Sequence, residues 1–285
     1  VRQGIVADPP HKRLALVEHL ALAQRLKAEG YGHALVMPRT WKSALAPFLA
    51  GIGLRTGFAG EARIGLLNDL RWGERALPRM IDRCAALAMP NGEKAPAELP
   101  HPQLEVPASE VVSWRQRNGI ADDRRPAVAL APGAVGPAKR WTTSGYAELA
   151  RRLKAEGIQV WILGGPDEKA LAAEIAGTDQ ANARDMTGPD LRNAILALAA
   201  ADVAVSNDSG LLHVAAAIGT PAIGIFGPTS PWHWAPLNPL AAVVEIATEL
   251  SCRPCHKPTC RMGHHQCMRD ITAHRVAALT LKALG

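Results

Sequence analysis

The chain has 285 residues, of which 48% are hydrophobic and 20% are charged, a composition that is typical of folded globular proteins and excludes global disorder. No apolar run reaches the ~18–20 residues that a membrane-spanning helix needs, and no signal segment is recognisable at the start, so a cytoplasmic protein is expected. The formal net charge is +6, and residues 1–125 hold 18 basic against 13 acidic side chains.

The basic excess of the N-terminal part fits several kinds of partner. It would attract a phosphorylated substrate, an anionic membrane surface or nucleic acid, and a plain solvated basic surface accounts for it equally well. No dense run of Lys and Arg with interleaved aromatic residues is present, so nucleic-acid binding is not expected.

The first hundred residues predict helices around one short strand. In chain order we expect a helix over 11–30 that ends at Gly30, a buried strand over 34–37, and helices over 41–49 and 79–87. The following stretch, 90–107, contains five prolines and little periodicity, which is typical of a linker. The sequence therefore predicts two domains, residues 1–107 and residues 108–285.

The second half alternates regularly between apolar runs and helical patterns. Strands are expected over 127–131, 159–163, 203–206 and 222–226, and helices over 144–156, 167–176, 191–200 and 210–218. This alternation predicts an α/β fold in which a parallel sheet is covered on both faces. Ligands of such sheets bind beyond the carboxyl ends of the strands, where this chain has its glycine-rich turns.

The turn over 205–213 combines several groups that suit a phosphate. Asp208 or Ser209 is placed to cap the next helix, and Gly210 lets a ligand approach the backbone. Free N–H groups and the helix dipole at that end favour an anion, and His213 would face the same side. A plain helix cap beside a core histidine explains the same residues, so both interpretations stay open.

Three other turns also follow predicted strands. In the loop over 131–141 Lys139 would neutralise a diphosphate, although the spacing is not that of a P-loop and an exposed surface loop is an alternative. The turn over 164–168 offers a carboxylate, that of Asp167 or of Glu168, to ribose hydroxyls, or merely acidic residues to a first helical turn. The turn over 227–231 offers hydroxyl groups, although such Gly/Pro turns are common. Together the turns predict a nucleotide-sugar pocket.

Four of the five cysteines lie close together near the C-terminus, and Cys84 stands apart as a small buried hydrophobe. The four are Cys252, Cys255, Cys260 and Cys267. Their number suits a structural zinc or an iron–sulfur site, while free or redox-active thiols and disulfides remain alternatives. Because the Cys-rich segment, residues 252–267, lies outside the nucleotide turns, we expect a structural insertion or a lip over the cleft.

The turns and several N-terminal stretches carry a family resemblance over nearly the whole chain. The matching segments are 132–141, 207–217 and 227–231 in the second half, and 42–48, 55–57 and 65–71 in the first. Together they resemble the bacterial ADP-heptose:lipopolysaccharide heptosyltransferases of glycosyltransferase family 9, and most closely the members that add the second heptose.

The resemblance implies a GT-B architecture, with two Rossmann-like lobes that face each other across a cleft. The C-terminal lobe would bind ADP-heptose, with Lys139 stabilising the leaving group, Glu168 at the ribose and Met186 at the adenine. The full set of donor-binding residues that it implies is Lys139, Glu168, Met186, Asp208, Ser209, Gly210, His213 and Thr229. Lys42, Arg55 and Arg71 would be acceptor-side cations.

The implied reaction transfers L-glycero-D-manno-heptose from ADP-heptose to a lipid A–Kdo–heptose acceptor of the inner core, with inversion and without a metal or other cofactor in catalysis. Such an acceptor suggests peripheral contact with the inner face of the inner membrane. Two alternatives stay open: an ADP-heptose transferase with another glycan acceptor, and a catalytically inactive module that binds a nucleotide sugar.

One departure from the family pattern concerns the general base. Family members open with a strand, a Gly-Asp turn and a helix, and that Asp is the expected base. The sequence shows no such opening, and Asp8 does not follow a strand. We therefore expect an incomplete N-terminal lobe, an unassigned base, and weak or absent activity of this polypeptide alone.

Overall fold

The computed structural model describes residues 15–177 and 183–285, which fall into two units that divide between Leu99 and Pro100. The division comes before the end of the proline-rich stretch, whose last part belongs with the larger unit. There the backbone N–H of Leu104 donates to the carbonyl of Ala217 over 2.9 Å. None of the described helices is long and apolar enough to cross a membrane.

The smaller unit has a three-stranded parallel sheet with strand order β1-β2-β3. Its elements are α1 (Leu16–Ala28), β1 (His33–Leu35), α2 (Trp41–Leu49), β2 (Leu54–Phe58), β3 (Asp69–Arg71) and α3 (Met80–Ala88). The three expected helices are present, whereas β2 and β3 had no prediction. Asp8, the start of the first expected helix and the question of an opening strand fall outside the described residues.

The larger unit is built on a six-stranded parallel sheet with strand order β6-β5-β4-β7-β8-β9. Its strands are β4 (Ala127–Ala131), β5 (Gln159–Ile162), β6 (Ala183–Asp185), β7 (Val203–Asn207), β8 (Ala222–Ile225) and β9 (Ala242–Val244). Because chain order runs outward from β4 in one direction and from β7 in the other, the sheet reverses between these two strands. In doubly wound sheets, that reversal opens a crevice at the carboxyl ends of the central strands.

Helices cover both faces of this sheet. They are α4 (Ala108–Arg117), α5 (Thr143–Ala155), α6 (Lys169–Ala176), α7 (Leu191–Ala200), α8 (Gly210–Ile218), α9 (Pro231–Trp234), α10 (Gln266–Arg269) and α11 (Ala273–Leu284). Alternate residues of each strand enter two separate cores: Val128 and Leu130 pack on one face, and Ala127 and Ala129 on the other. This burial on both sides explains why the strands are continuously apolar.

Aromatic residues fix the packing on each face. Trp114 of α4 meets Trp161 of β5 edge-to-face, with ring centroids 5.5 Å apart, and the Trp114 indole donates to the Asn193 side chain over 2.6 Å. On the other face Trp141 and Tyr146 meet in the same way at 4.9 Å. Such pairs add about 0.5–1.5 kcal/mol each beyond their burial, so they make the base of the central loops rigid.

Candidate functional site

The carboxyl ends of β4 and β7 open into a cavity of about 1020 Å³, which lies wholly within the larger unit. The predicted residues that line it are Lys139, Glu168, Asp208, Ser209, Gly210 and His213. The sequence places these residues in three separate turns, and the parallel sheet brings the turns together at its switch point.

Asp208 forms the centre of a charged cluster in this cavity. Its Oδ2 accepts a hydrogen bond from the Lys139 ammonium over 2.8 Å, and its Oδ1 lies 4.0 Å from Nε2 of His213. The Asp208 side chain is only 5% exposed, whereas that of Lys139 is 34% exposed. The buried carboxylate therefore holds both basic side chains at the cavity surface.

The environment of His213 favours the neutral imidazole. Burial lowers its pKa below the ordinary 6.5; the carboxylate of Asp208 opposes this shift, and the ammonium of Lys139 adds to it. At neutral pH the ring can thus donate to or accept from a neutral hydroxyl. It would gain a proton if a second negative charge entered the cavity.

The first turn of α8 leaves its backbone N–H groups available to a ligand. Ser209 occupies the N-cap position, but its side chain makes no cap hydrogen bond and its Oγ lies 3.0 Å from Oγ of Ser206 instead. A Cβ placed on Gly210 would meet no protein atom within 4 Å. Uncapped N–H groups beside open space are what an anion requires at a helix N-terminus.

Asn207 holds the two central loops together, a role that no local pattern in the sequence predicted. Its Oδ1 accepts from the backbone N–H of Trp141 over 2.9 Å, and its Nδ2 donates to the carbonyl of Pro132 over 2.7 Å. The side chain is fully buried. The loop that carries Lys139 is thereby fixed to the strand that leads into Asp208.

Glu168 lies in the turn after β5, at the side of the same cavity. One carboxylate oxygen accepts from the backbone N–H of Gly165 over 2.8 Å, and the other lies 3.9 Å from the guanidinium of Arg140. A Cβ on Gly133 would come within 3.0 Å of this carboxyl group, so the loop after β4 closely approaches the turn after β5. The carboxylate is therefore fixed in position.

Two predicted donor residues do not meet this cluster. Met186 packs against the core next to α4 and α7, and it is not one of the described residues that line the cavity. Thr229 is 4% exposed and lines a different cavity of about 620 Å³ with Glu245 and Arg253. Its Oγ1 has no hydrogen-bond partner among the described residues.

The three predicted acceptor-side cations lie in the smaller unit. Lys42 is in the first turn of α2. The Arg55 guanidinium donates to the carbonyls of Leu66 and Ile52, and that of Arg71 forms an ion pair with Asp69 at 2.7 Å. Arg55 and Arg71 thus also stabilise the small sheet.

The four C-terminal cysteines are free thiols that line one cavity of about 340 Å³. Across residues 15–177 and 183–285 no three His, Cys, Asp or Glu side chains are arranged to hold a metal ion. The expected zinc or iron–sulfur site is therefore unsupported. Cys267, at 6% exposure, is packed into the hydrophobic core, and burial raises the pKa of its thiol to about 11.

Part of the Cys-rich segment also lines the larger cavity, although the spacing of its thiols did not indicate this. Its residues His256, Lys257 and Pro258 line that cavity together with Lys139. The backbone N–H of Ala138 donates to the carbonyl of Pro258 over 3.0 Å, beside Lys139 itself. These three residues therefore lie at the nucleotide turns, whereas the sequence led us to expect the whole segment outside them.

Comparison with known proteins identifies the family. The family model for glycosyltransferase family 9 (heptosyltransferase) matches residues 19–266. Lipopolysaccharide heptosyltransferase 2 of Escherichia coli K12 is 38% identical over 97% of this chain and 82% of its own length. Lipooligosaccharide heptosyltransferase 2 of Haemophilus ducreyi is 34% identical, with 97% and 83% covered.

A solved structure agrees with the sequence comparisons. That of E. coli ADP-heptose lps heptosyltransferase II superposes with a TM-score of 0.81 at 36% identity, covering 94% of this chain and 81% of that one. The predicted α/β fold of the GT-B class is confirmed by this match. On the family model and these relatives together, the chain belongs to glycosyltransferase family 9, the heptosyltransferases.

Proposed function

We propose that the chain transfers L-glycero-D-manno-heptose from ADP-heptose to the heptose of a lipid A–Kdo–heptose acceptor, the addition of the second heptose of the inner core. The observation that carries the proposal is the Lys139–Asp208–His213 cluster beside the uncapped start of α8. The names of the relatives supply the sugar and the acceptor, and the cluster supplies a site for the diphosphate that joins the sugar to the nucleoside.

The geometry suits the departure of ADP. As the acceptor hydroxyl attacks the anomeric carbon, it loses its proton to the general base, which is unassigned. The bond from that carbon to the β-phosphate oxygen breaks, and its electron pair stays on the phosphate. Lys139 and the N–H groups at Gly210 stabilise the developing negative charge, because the ammonium is held in place by Asp208 and the N–H groups by the start of α8. The attack from the opposite side inverts the anomeric centre.

The remaining side chains would contact other parts of ADP-heptose along the crevice between β4 and β7. The Glu168 carboxylate would accept hydrogen bonds from the ribose hydroxyls, and the imidazole of His213 would contact a sugar hydroxyl or the β-phosphate. We keep Met186 and Thr229 as proposed adenine and sugar contacts; the orphaned hydroxyl of Thr229 favours a polar ligand there.

The acceptor is proposed to approach the smaller unit, with Lys42, Arg55 and Arg71 as candidate contacts to its phosphate and carboxylate groups. Because lipid A anchors that acceptor in a bilayer, we further propose that the chain works peripherally at the inner face of the inner membrane. Sedimentation with anionic vesicles, with and without the acceptor lipid, measures this association.

The test of the proposed function combines donor binding and transfer. ADP-heptose and ADP-glucose are titrated into the protein by calorimetry, and product formation on a heptosylated Kdo–lipid A acceptor is followed by mass spectrometry. We expect saturable ADP-heptose binding with a one-to-one stoichiometry and slow formation of a product heavier by one heptose, because the general base of this polypeptide is unassigned. Absence of ADP-heptose binding would contradict the proposal.

Two other outcomes separate the alternatives. Transfer to a different glycan, with the inner-core acceptor unused, would identify a related ADP-heptose transferase. Binding of ADP-heptose without transfer to any acceptor would favour a module that only binds the nucleotide sugar. In both cases the cavity at the ends of β4 and β7 would still be the donor site, and only the acceptor side would change.

A further inference from the structure

The Cys-rich segment adds a wall to the donor cavity that the Rossmann-type turns do not provide. His256, Lys257 and Pro258 lie far along the chain from the loops after β4 and β7, yet they line the same cavity as Lys139 and Asp208. The free thiols on either side of these residues line a separate cavity. The segment thus faces two pockets, and only one of them holds the charged cluster.

Hydrogen bonds hold this wall to two sides of the site. The backbone N–H of His256 donates to the carbonyl of Pro228, after β8, over 2.9 Å. The carbonyl of Pro258 accepts from Ala138, and the ring of His265 lies 2.7 Å from the Ala138 carbonyl. His256 adopts the left-handed backbone conformation, with φ at 51°, which turns the chain between these two attachments. Lys257 is therefore presented from a fixed backbone.

Lys257 is a cation of the cavity that no described carboxylate pairs with. The ammonium of Lys139 is already paired with Asp208 at 2.8 Å, and the guanidinium of Arg140 lies 3.9 Å from Glu168. Lys257 makes no ion pair or hydrogen bond with any side chain in the part of the chain that the structure describes. A diphosphate diester is a dianion. Because Asp208 already offsets the charge of Lys139, binding such a dianion favours a further cation in the cavity.

We infer that Lys257, delivered by the Cys-rich segment, is a diphosphate-binding residue of the donor site. The inference rests on the proposed function and deepens it, because it assigns to this segment a role in donor recognition that the four thiols do not explain. The ammonium reaches the diphosphate from the β8 side of the cavity, while Lys139 and the start of α8 reach it from the β4 and β7 sides.

The experiment compares four proteins: the unchanged chain, Lys257→Ala, Lys257→Arg, and the matched control Lys282→Ala, in which an exposed lysine of α11 is removed. ADP and ADP-heptose are titrated by calorimetry at about 20 mM and about 200 mM salt. We expect Lys257→Ala to weaken both ligands roughly 5- to 20-fold at the lower salt, to lose much of this difference at the higher salt, and to keep its melting temperature.

Lys257→Arg should retain affinity within about threefold, because it keeps the charge, and Lys282→Ala should match the unchanged chain. Affinity of Lys257→Ala within twofold of the unchanged chain at the lower salt, or a loss shared equally by Lys282→Ala, would overturn the inference. If heptose transfer is normal and donor affinity does not depend on Lys257, this inference fails while the proposed function stands. ADP binding that depends on Lys257, without heptose transfer, removes the proposed transferase function alone.

Discussion

Replacing Lys139 with alanine tests the charged cluster most directly, because it affects both stability and donor binding. Two unit charges 2.8 Å apart attract by about 6 kcal/mol at an effective dielectric constant of ~20. Lys139 is 34% exposed and Asp208 is desolvated, so the net cost of removing the ammonium is smaller, about 1–3 kcal/mol. For a unit of roughly 150–250 residues this lowers the melting temperature by about 3–10 °C.

The same substitution removes a charge-assisted contact to the donor. Such contacts contribute about 1.5–3 kcal/mol, so ADP-heptose affinity in calorimetry should fall roughly 10- to 100-fold. Asp208→Asn in the Lys139→Ala background should recover most of the lost melting temperature, because no buried charge is then left unpaired. It should recover affinity only in part, because it relieves the repulsion between the carboxylate and the diphosphate but does not restore the ammonium. Unchanged affinity in Lys139→Ala, or stability that Asp208→Asn fails to restore, would refute the electrostatic reasoning.

Three further predictions concern neighbouring groups. Gly210→Ala should keep or slightly raise the melting temperature, since its Cβ meets no protein atom within 4 Å. It should lower the affinity for ADP-heptose at least about tenfold, because the methyl group occupies the space beside the α8 N–H groups. Equal affinity would show that no ligand lies there. ADP-heptose should bind more tightly as the pH falls from about 8 to about 6, because a bound diphosphate raises the low pKa of His213. His213→Gln should reduce this trend in calorimetry but not remove it, because His256 lines the same cavity and also has a lowered pKa. In peptide mapping after brief iodoacetamide treatment near neutral pH, Cys260 should be alkylated before Cys267. Backbone N–H groups, chiefly that of His265, lower the pKa of Cys260, whereas burial raises that of Cys267; the reverse order would contradict this environment.

Local signals in the sequence predict the larger unit well. The expected helices over 191–200 and 210–218 match α7 and α8, because a capping Asp190 and the left-handed Gly219 mark their ends in the chain itself. Strands such as β3 and β9 escape prediction, since three residues carry too little pattern and their pairing is decided by neighbours that are distant in sequence.

The candidate site is predictable to a similar degree. Residues in turns directly after strands, such as Lys139 and Asp208, can be placed because parallel strands end at one edge of the sheet. The position of Lys257 at the cavity cannot be predicted, because it depends on hydrogen bonds of the Cys-rich segment to Ala138 and Pro228, which no local pattern encodes. The number of thiols favoured a metal, although the described residues hold no such set of ligands and Cys267 is packed into the core.

The side-chain amide of Asn207 couples the loop after β4 to the turn after β7, so the two behave as one structural unit. One end of that amide must accept and the other must donate, so an aspartate of nearly the same shape would place a carboxylate oxygen against the Pro132 carbonyl. A segment exchanged between relatives at 132–141 would function only where the recipient keeps this amide. Where the recipient lacks it, grafting of donor specificity must move both stretches together.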